Sequence, residues 1–226
     1  MSVAVAAGAG PVSFNVEILC DDLVRQGWSV QALAGRELMM SALRDEVARR
    51  RADETLDPAG VGRAEDHQLV RALRRDHIHW LDGATPAQQA YLGFAEALRI
   101  DLNRRLMLGL WRYEAHFALY EAGGFYRKHR DAFRGARNRI VSTVLYLNDD
   151  WSAADGGLLR LYADDEETVI GDVVPALGTI AVFLSEEVPH EVLPAHRPRA
   201  SIAGWFRCND ALETPVLTGT GMADRL

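Results

Sequence analysis

The hydrophobic period of this chain changes once, near residue 108, and that change restricts the fold more than any short motif does. Before it, apolar residues recur at helical spacing; after it, they recur at every second position, as in a strand with one buried face. In the first part, Leu33, Leu38, Met39, Leu43 and Val47 predict a helix from Val30 to about Arg51, and Arg49, Arg50 and Arg51 suit its C-terminal end. Residues 52–66, rich in Asp, Glu, Gly, Pro and Ala, predict a mobile loop. A second helix is predicted to begin at Thr85-Pro86. Thr85 can cap it, Pro86 fits the first helical position, and Gln88 completes a capping box. Tyr91, Phe94, Leu98 and Leu102 would form its buried stripe.

In the second part, Trp111, Tyr113, Ala115, Phe117 and Leu119 alternate with Arg112, Glu114 and His116, which predicts a half-buried strand. Gly123-Gly124 turns the chain. Further strands are expected at Ile140 to Leu147, Leu158 to Tyr162, Thr168 to Val174, Thr179 to Leu184, His190 to Leu193 and Ser201 to Arg207. Helices first and short strands after predict a mainly β fold, a sandwich or open barrel, with bracing N-terminal helices. One domain is expected over 13–208, with helical support to about 107 and a β core over about 108–207. Residues 1–12 read as a disordered tail and 209–226 as a C-terminal tail.

A net charge of -7 argues against non-specific binding to nucleic acid or to an anionic membrane. Cys20 and Cys208 are far apart and in no metal-binding spacing, so a reducing, cytoplasmic compartment is expected. Met1 to Gly10 is small and apolar without a preceding basic residue, unlike a secretory signal. The longest apolar stretch, Val173 to Leu184, holds a proline and a glycine and is too short to span a bilayer.

The chemistry-bearing segment runs from Gly123 to Asp131. His129 and Asp131 are two apart, and on a strand such residues share a face, so one imidazole and one carboxylate can converge on an ion. His190 is the best candidate for a third ligand. Two histidines and a carboxylate on one face of a metal leave three positions open, which suits non-haem Fe(II) oxygenases rather than tetrahedral zinc. His-x-Asp alone is weak, since a surface histidine beside an acid reads the same. Nine residues after His190, Arg199 and Ser201 share a strand face. The guanidinium fork and a hydroxyl would suit a carboxylate such as that of 2-oxoglutarate, although Arg197-Pro-Arg199 also reads as a surface run. Tyr146 could add a phenolic hydrogen bond or be a plain sheet tyrosine.

Together these residues resemble the 2-oxoglutarate and Fe(II)-dependent prolyl 4-hydroxylases, in the branch that holds the hypoxia-factor prolyl hydroxylases and their bacterial relatives. The resemblance runs from about Gly62 to Arg207. It includes Arg74-x-Asp76-x-Ile78-x-Trp80, Tyr120 with Gly123-Gly-Phe-Tyr126, His129-x-Asp131 and Tyr146-Leu-Asn-Asp-Asp-Trp151. It continues through Gly156-Gly-Leu-Leu-Arg160, Pro175-x-x-Gly178, Pro189-His190-Glu-Val192 and Arg199 to Trp205.

The resemblance implies a double-stranded β-helix, or jelly roll. His129, Asp131 and His190 fall on its metal ligands, Arg199 on the partner of the cosubstrate's distal carboxylate, and Tyr146 on the supporting tyrosine. Tyr120, Val144, Leu159 and Trp205 fall on the pocket lining, and Arg139, Asp76 and Trp80 near the substrate entrance. The implied cofactors are Fe(II), 2-oxoglutarate and O2, with ascorbate in support. The implied reaction hydroxylates a prolyl residue of a protein, elongation factor Tu being the foremost candidate, and releases succinate and CO2. Hydroxylation of a free amino acid or small peptide-like metabolite, or a non-catalytic metal-binding sensor, are the competing readings. The stretch Arg51 to Gln68 would be the substrate-covering element or an uninvolved surface loop. Arg127, Lys128, Arg130, Arg134, Arg137 and Arg139 read mainly as a solvated face. Ala203 stands where some eukaryotic members have threonine, and no substrate-clamping helix is expected after Cys208.

Overall fold

The computed structural model describes residues 12–60, 72–132 and 138–208; residues 1–11 and 209–226 of the predicted tails, residues 61–68 of the stretch Arg51 to Gln68, and Arg134 and Arg137 lie outside them. The chain opens with strand β1 (Val12–Ser13), helix α1 (Val16–Gln26) and strand β2 (Trp28–Ala32). Asn15 caps α1, its Oδ1 accepting from the amides of Glu17 and Ile18, and Gly27 ends it at φ 82°.

Helix α2 spans Glu37–Ala52, so the helix predicted from Val30 begins only at Glu37. Val30 lies in β2, Leu33 is buried ahead of the helix, and Leu38 is 89% exposed. The misreading has a physical source. In β2 the buried positions are the polar Ser29 and Gln31, each hydrogen-bonded, so no apolar alternation marks the strand. The loop predicted after α2 carries a short strand, β3 (Asp57–Pro58), paired with β4 (Asp76–Trp80).

Helix α3 (Pro86–Leu106) begins as predicted, with the Thr85 hydroxyl accepting from the Gln88 amide. The return half of the expected capping box does not form. The Gln88 side chain instead accepts from the Asp82 and Gly83 amides and donates to Glu46 at 2.7 Å. Glu46 also accepts from Thr85 and Arg50, tying α2 to the start of α3.

Eight strands follow: β5 (Leu110–Tyr120), β6 (Tyr126–His129), β7 (Val141–Tyr146), β8 (Leu159–Tyr162), β9 (Val169–Val173), β10 (Thr179–Leu184), β11 (His190–Val192) and β12 (Arg199–Cys208). Among the described residues they join β1 to β4 in an eight-stranded sheet, β1-β2-β10-β7-β12-β5-β4-β3, facing a four-stranded sheet, β6-β11-β8-β9. This is the jelly roll with N-terminal helices.

The helices cover the outer face of the larger sheet. Leu19, Leu43 and Leu98 pack there with Phe117, Leu145, Ile202 and Phe206. The inner face meets the smaller sheet through Tyr120, Tyr146, Phe183, Leu159 and Leu161. Strand β5 is therefore covered on both faces toward its end, and its polar alternation is the face turned toward the cavity. Trp111, assigned to the apolar face, is 64% exposed where the strand begins.

Candidate active site

Ladder register assembles the metal-ligating groups. In the smaller sheet β11 pairs antiparallel with β6 so that His190 lies opposite His129. Asp131 is not on the strand with His129, as the sequence spacing suggested, but in the bend just after β6. It is aimed by Ser142 of β7, whose hydroxyl donates to Oδ2 at 2.7 Å and contacts Ser185 Oγ at 2.8 Å. The ligand atoms of His129, Asp131 and His190 all lie within 4.8 Å of one another. Asp131 Oδ1 is 3.6 Å from His129 Nε2, and Oδ2 is 3.7 Å from His190 Nε2.

Both imidazoles are oriented alike. Nδ1 of His129 donates to the Arg127 carbonyl at 2.7 Å, and Nδ1 of His190 to the Val188 carbonyl at 3.0 Å. A carbonyl only accepts, so each Nδ1 carries the proton and each Nε2 presents a lone pair. Burial, helped by nearby His129, pushes the His190 pKa down to about 4. Burial alone would raise Asp131, but the His190 and His129 imidazoles and the Ser142 hydroxyl outweigh it and hold the carboxyl well below its ordinary range. Neutral imidazoles and an ionised carboxylate are the forms that bind a divalent metal. The Tyr126 ring stacks on His129 at 3.6 Å between centroids, and the Arg74 guanidinium lies 4.4 Å from the centroid of the same Tyr126 ring.

A second constellation lies in the larger sheet. Register places Arg199 of β12 beside Tyr120 of β5, and Ser201 beside both Ala118 and Tyr146. Arg199 is 1% exposed. Its Nε donates to the Gly157 carbonyl at 2.8 Å and its Nη1 reaches Ser201 Oγ at 3.4 Å. Gly157 has φ +65°, and a Cβ there would stand 2.9 Å from Arg199 Cδ, so glycine makes room for the arginine. Arg199 Nη2 and the Tyr146 hydroxyl have no hydrogen-bond partner, although both are buried. Burial raises the Tyr146 pKa to about 12 against the opposing pull of Arg199, so the phenol keeps its proton. A buried guanidinium with a free N–H, beside an unpartnered phenol, fits the carboxylate of a small dianion.

The two constellations share one cavity of about 300 Å³, large enough for a small ligand. Tyr120, Val144, Leu159, Arg139, Trp80 and Trp205 all line it. Asp76 does not: it is buried beneath the wall, and Arg74, ion-paired to it at 2.6 Å, lines the cavity instead. At the mouth the Arg139 guanidinium lies 3.7 Å from the Trp205 ring centroid and bonds Glu114 at 3.2 Å. Arg130 is no solvated charge. It bonds the Glu186 and Glu187 carbonyls and pairs with Asp164 and Glu166.

Sequence spacing singled out neither Ser142, nor His116, nor the stacking role of Tyr126. Arg74 and Tyr126 stood in the resembling motifs without an assigned part, and Ser142 is one serine on an apolar strand, which carries no signal by itself.

The profile of the 2OG-Fe(II) oxygenase superfamily matches residues 115–207, the stretch that carries both constellations. The chain belongs to that superfamily. Several of its relatives within that superfamily are prolyl hydroxylases. A Pseudomonas putida prolyl-4-hydroxylase structure is 44% identical, covers 86% of this chain and 100% of its own, and superposes with a TM-score of 0.77. Human Egl nine homolog 1 is 31% identical over 177 residues, 71% of this chain, and this chain spans 41% of its length. A Trichoplax adhaerens prolyl hydroxylase bound to a hypoxia-inducible-factor peptide shares the fold, with a TM-score of 0.72 at 24% identity and coverage of 85% and 88%.

Proposed function

We propose that this protein hydroxylates a prolyl residue of a protein substrate and couples the reaction to conversion of 2-oxoglutarate and O2 into succinate and CO2. The single observation that carries the cosubstrate is Arg199, buried with an unpartnered Nη2 beside the unpartnered Tyr146 hydroxyl, in the same cavity as a two-histidine, one-aspartate face. His129, Asp131 and His190 would hold Fe(II), and Arg199, Tyr146 and Ser201 would hold the distal carboxylate. When bound, the iron and 2-oxoglutarate supply the O2 activation that a C–H hydroxylation needs.

The chain's own residues do the remaining work. Asp131 supplies negative charge against the cation. The Arg127 and Val188 carbonyls fix the tautomers that ligation requires. Leu159 and Val144 keep the cavity between the two constellations apolar.

The protein-substrate reading rests on the relatives, which are prolyl hydroxylases, and on an aromatic mouth of Trp80, Trp205 and Tyr126 that suits a saturated ring. Elongation factor Tu is the first candidate to test, on family resemblance; a cytoplasmic location belongs to the same reading and rests on the cysteine count. The test is Fe(II)- and O2-dependent succinate release with candidate proteins and with free proline, together with a mass-spectrometric search for prolines that gain one oxygen. Succinate coupled to a protein supports the proposal. Coupling only to free proline moves the enzyme to small molecules, and no succinate under any condition leaves a metal-binding sensor.

A further inference from the structure

Among the polar side chains of the cavity wall that the proposed chemistry does not use is an imidazole. His116 of β5 pairs with Trp80 of β4 on one side and Ala203 of β12 on the other. Its ring lies 5.1 Å from the Trp80 ring, edge on, and 5.4 Å from that of Trp205. Nδ1 meets the Phe117 carbonyl at 2.9 Å. Since the carbonyl only accepts, Nδ1 carries the proton and Nε2 a lone pair. No hydrogen bond reaches Nε2 among the described residues, and the imidazole lines the cavity. Ile78, Ala118, Val144 and Ala203 in the lining carry no side-chain donor, and the Trp205 indole N–H, itself without a hydrogen-bond partner, does not bond the imidazole.

We propose that His116 is a specificity residue that accepts a hydrogen bond from a backbone amide N–H flanking the target proline of an extended polypeptide. The inference rests on the prolyl-substrate reading and adds to it the part of the substrate that is read. Burial pushes the His116 pKa down to about 4; Asp76 favours the charged form, and Arg74 and Arg139 oppose it. The group facing the substrate is therefore a neutral acceptor at ordinary pH. A buried acceptor sealed over by substrate without a partner is penalised, so the wall rejects chains that cannot donate there. Arg139 completes the pattern. It lies against the same Trp205 indole and offers donors where His116 offers an acceptor. A peptide unit presents one carbonyl and one N–H, so the two side chains are complementary to a main chain crossing the indole.

The experiment uses synthetic proline-containing peptides and the loaded full-length enzyme. Peptides hydroxylated by the wild type are remade with an N-methyl group on the amide either side of the target. One N-methyl peptide should lose about 10-fold in kcat/KM. His116→Met should lose a similar factor on the parent peptide, mainly through KM, and be indifferent to that N-methylation. His116→Gln, which keeps an acceptor, should recover most of the loss. The thermal midpoints of both variants are read alongside. Wild-type tolerance of both N-methyl peptides overturns the inference without recourse to any variant. So does an N-methyl penalty that persists in His116→Met, or a glutamine variant no better than methionine. A wild type that hydroxylates no peptide overturns the prolyl reading and this inference together.

Discussion

At the scale of single residues, the site is built from groups whose hydrogen-bond partners decide which atom each turns to the metal. Each of His129, Asp131 and His190 contributes a lone pair to the one such cluster among the described residues. Alanine at any of the three should weaken Mn(II) or Fe(II) binding at least 10-fold, read by calorimetry under anaerobic conditions, and abolish succinate formation. Near wild-type turnover in any one of them would remove it from the ligand set. Arg199→Ala should raise the 2-oxoglutarate concentration needed for half-maximal turnover by roughly 100-fold, because it deletes a buried charge-assisted contact. An unchanged requirement would remove Arg199 from that role.

His116 makes a separate prediction about acid stability. Its pKa is near 4 in the folded protein and near 6.5 when unfolded, so the unfolded chain takes the proton first. Stability should therefore fall as pH drops from about 6.5 toward 4, by roughly 3 kcal/mol for this residue alone. His116→Met should make that part of a urea-stability profile shallower, the remainder coming from His190, whose pKa is lowered alike; an equally steep profile in the variant would show that other groups dominate.

At the scale of elements, what could be read from the sequence divides by whether a segment hides apolar or polar atoms. Strands β7, β8 and β10 were legible because Val, Leu, Ile, Phe and Tyr hold many of their buried positions, and β9 and β11 because each is a short run between turn residues that ends on a buried valine. Strand β2 was not, because it buries Ser29 and Gln31. Helix α1 was missed although Val16, Leu19, Cys20 and Leu23 stand at helical spacing behind the Asn15 cap, because the exposed Ile18 and Val24 on its other face blur the stripe.

The sheet also holds a constraint that no periodicity shows. Tyr113 of β5 passes over Gly204 of β12, its hydroxyl bonding Tyr91 of α3 at 2.8 Å and Thr143 of β7 at 2.7 Å. A Cβ on Gly204 would lie 2.1 Å from the Tyr113 hydroxyl oxygen. Gly204→Ala should accordingly lower stability by about 3 kcal/mol in urea denaturation. Adding Tyr113→Ala should make the glycine substitution much less costly than it is alone. A tolerated Gly204→Ala with Tyr113 intact would mean that the ring has room to move.

At the scale of the whole molecule, the helices brace one face of the larger sheet while the chemistry lies on the other. Glu46 is buried and holds Thr85, Gln88 and Arg50, all remote from the cavity lining. Glu46→Ala should lower stability by about 2 to 3 kcal/mol and leave Mn(II) affinity of the folded protein unchanged. A parallel loss of metal affinity would show that the helical layer sets the ligand geometry.

This division also explains why the candidate site was read from sequence less completely than the fold. The triad and Arg199 lie in recognisable spacings. Ser142, Tyr126 and His116 act through contacts between strands far apart in sequence, which register creates and a linear pattern does not display.

Strand β12 carries Arg199 near its start and Trp205 six positions on, both turned toward the cavity. At strand rise this spaces them by about 20 Å along one rigid rod hydrogen-bonded on both edges. The strand therefore acts as a ruler between the anchor for the small dianion and the door for the macromolecule. Remodelling the door by substitution leaves the gauge untouched, whereas one inserted residue between the two marks would turn the door outward while the anchor stayed in place.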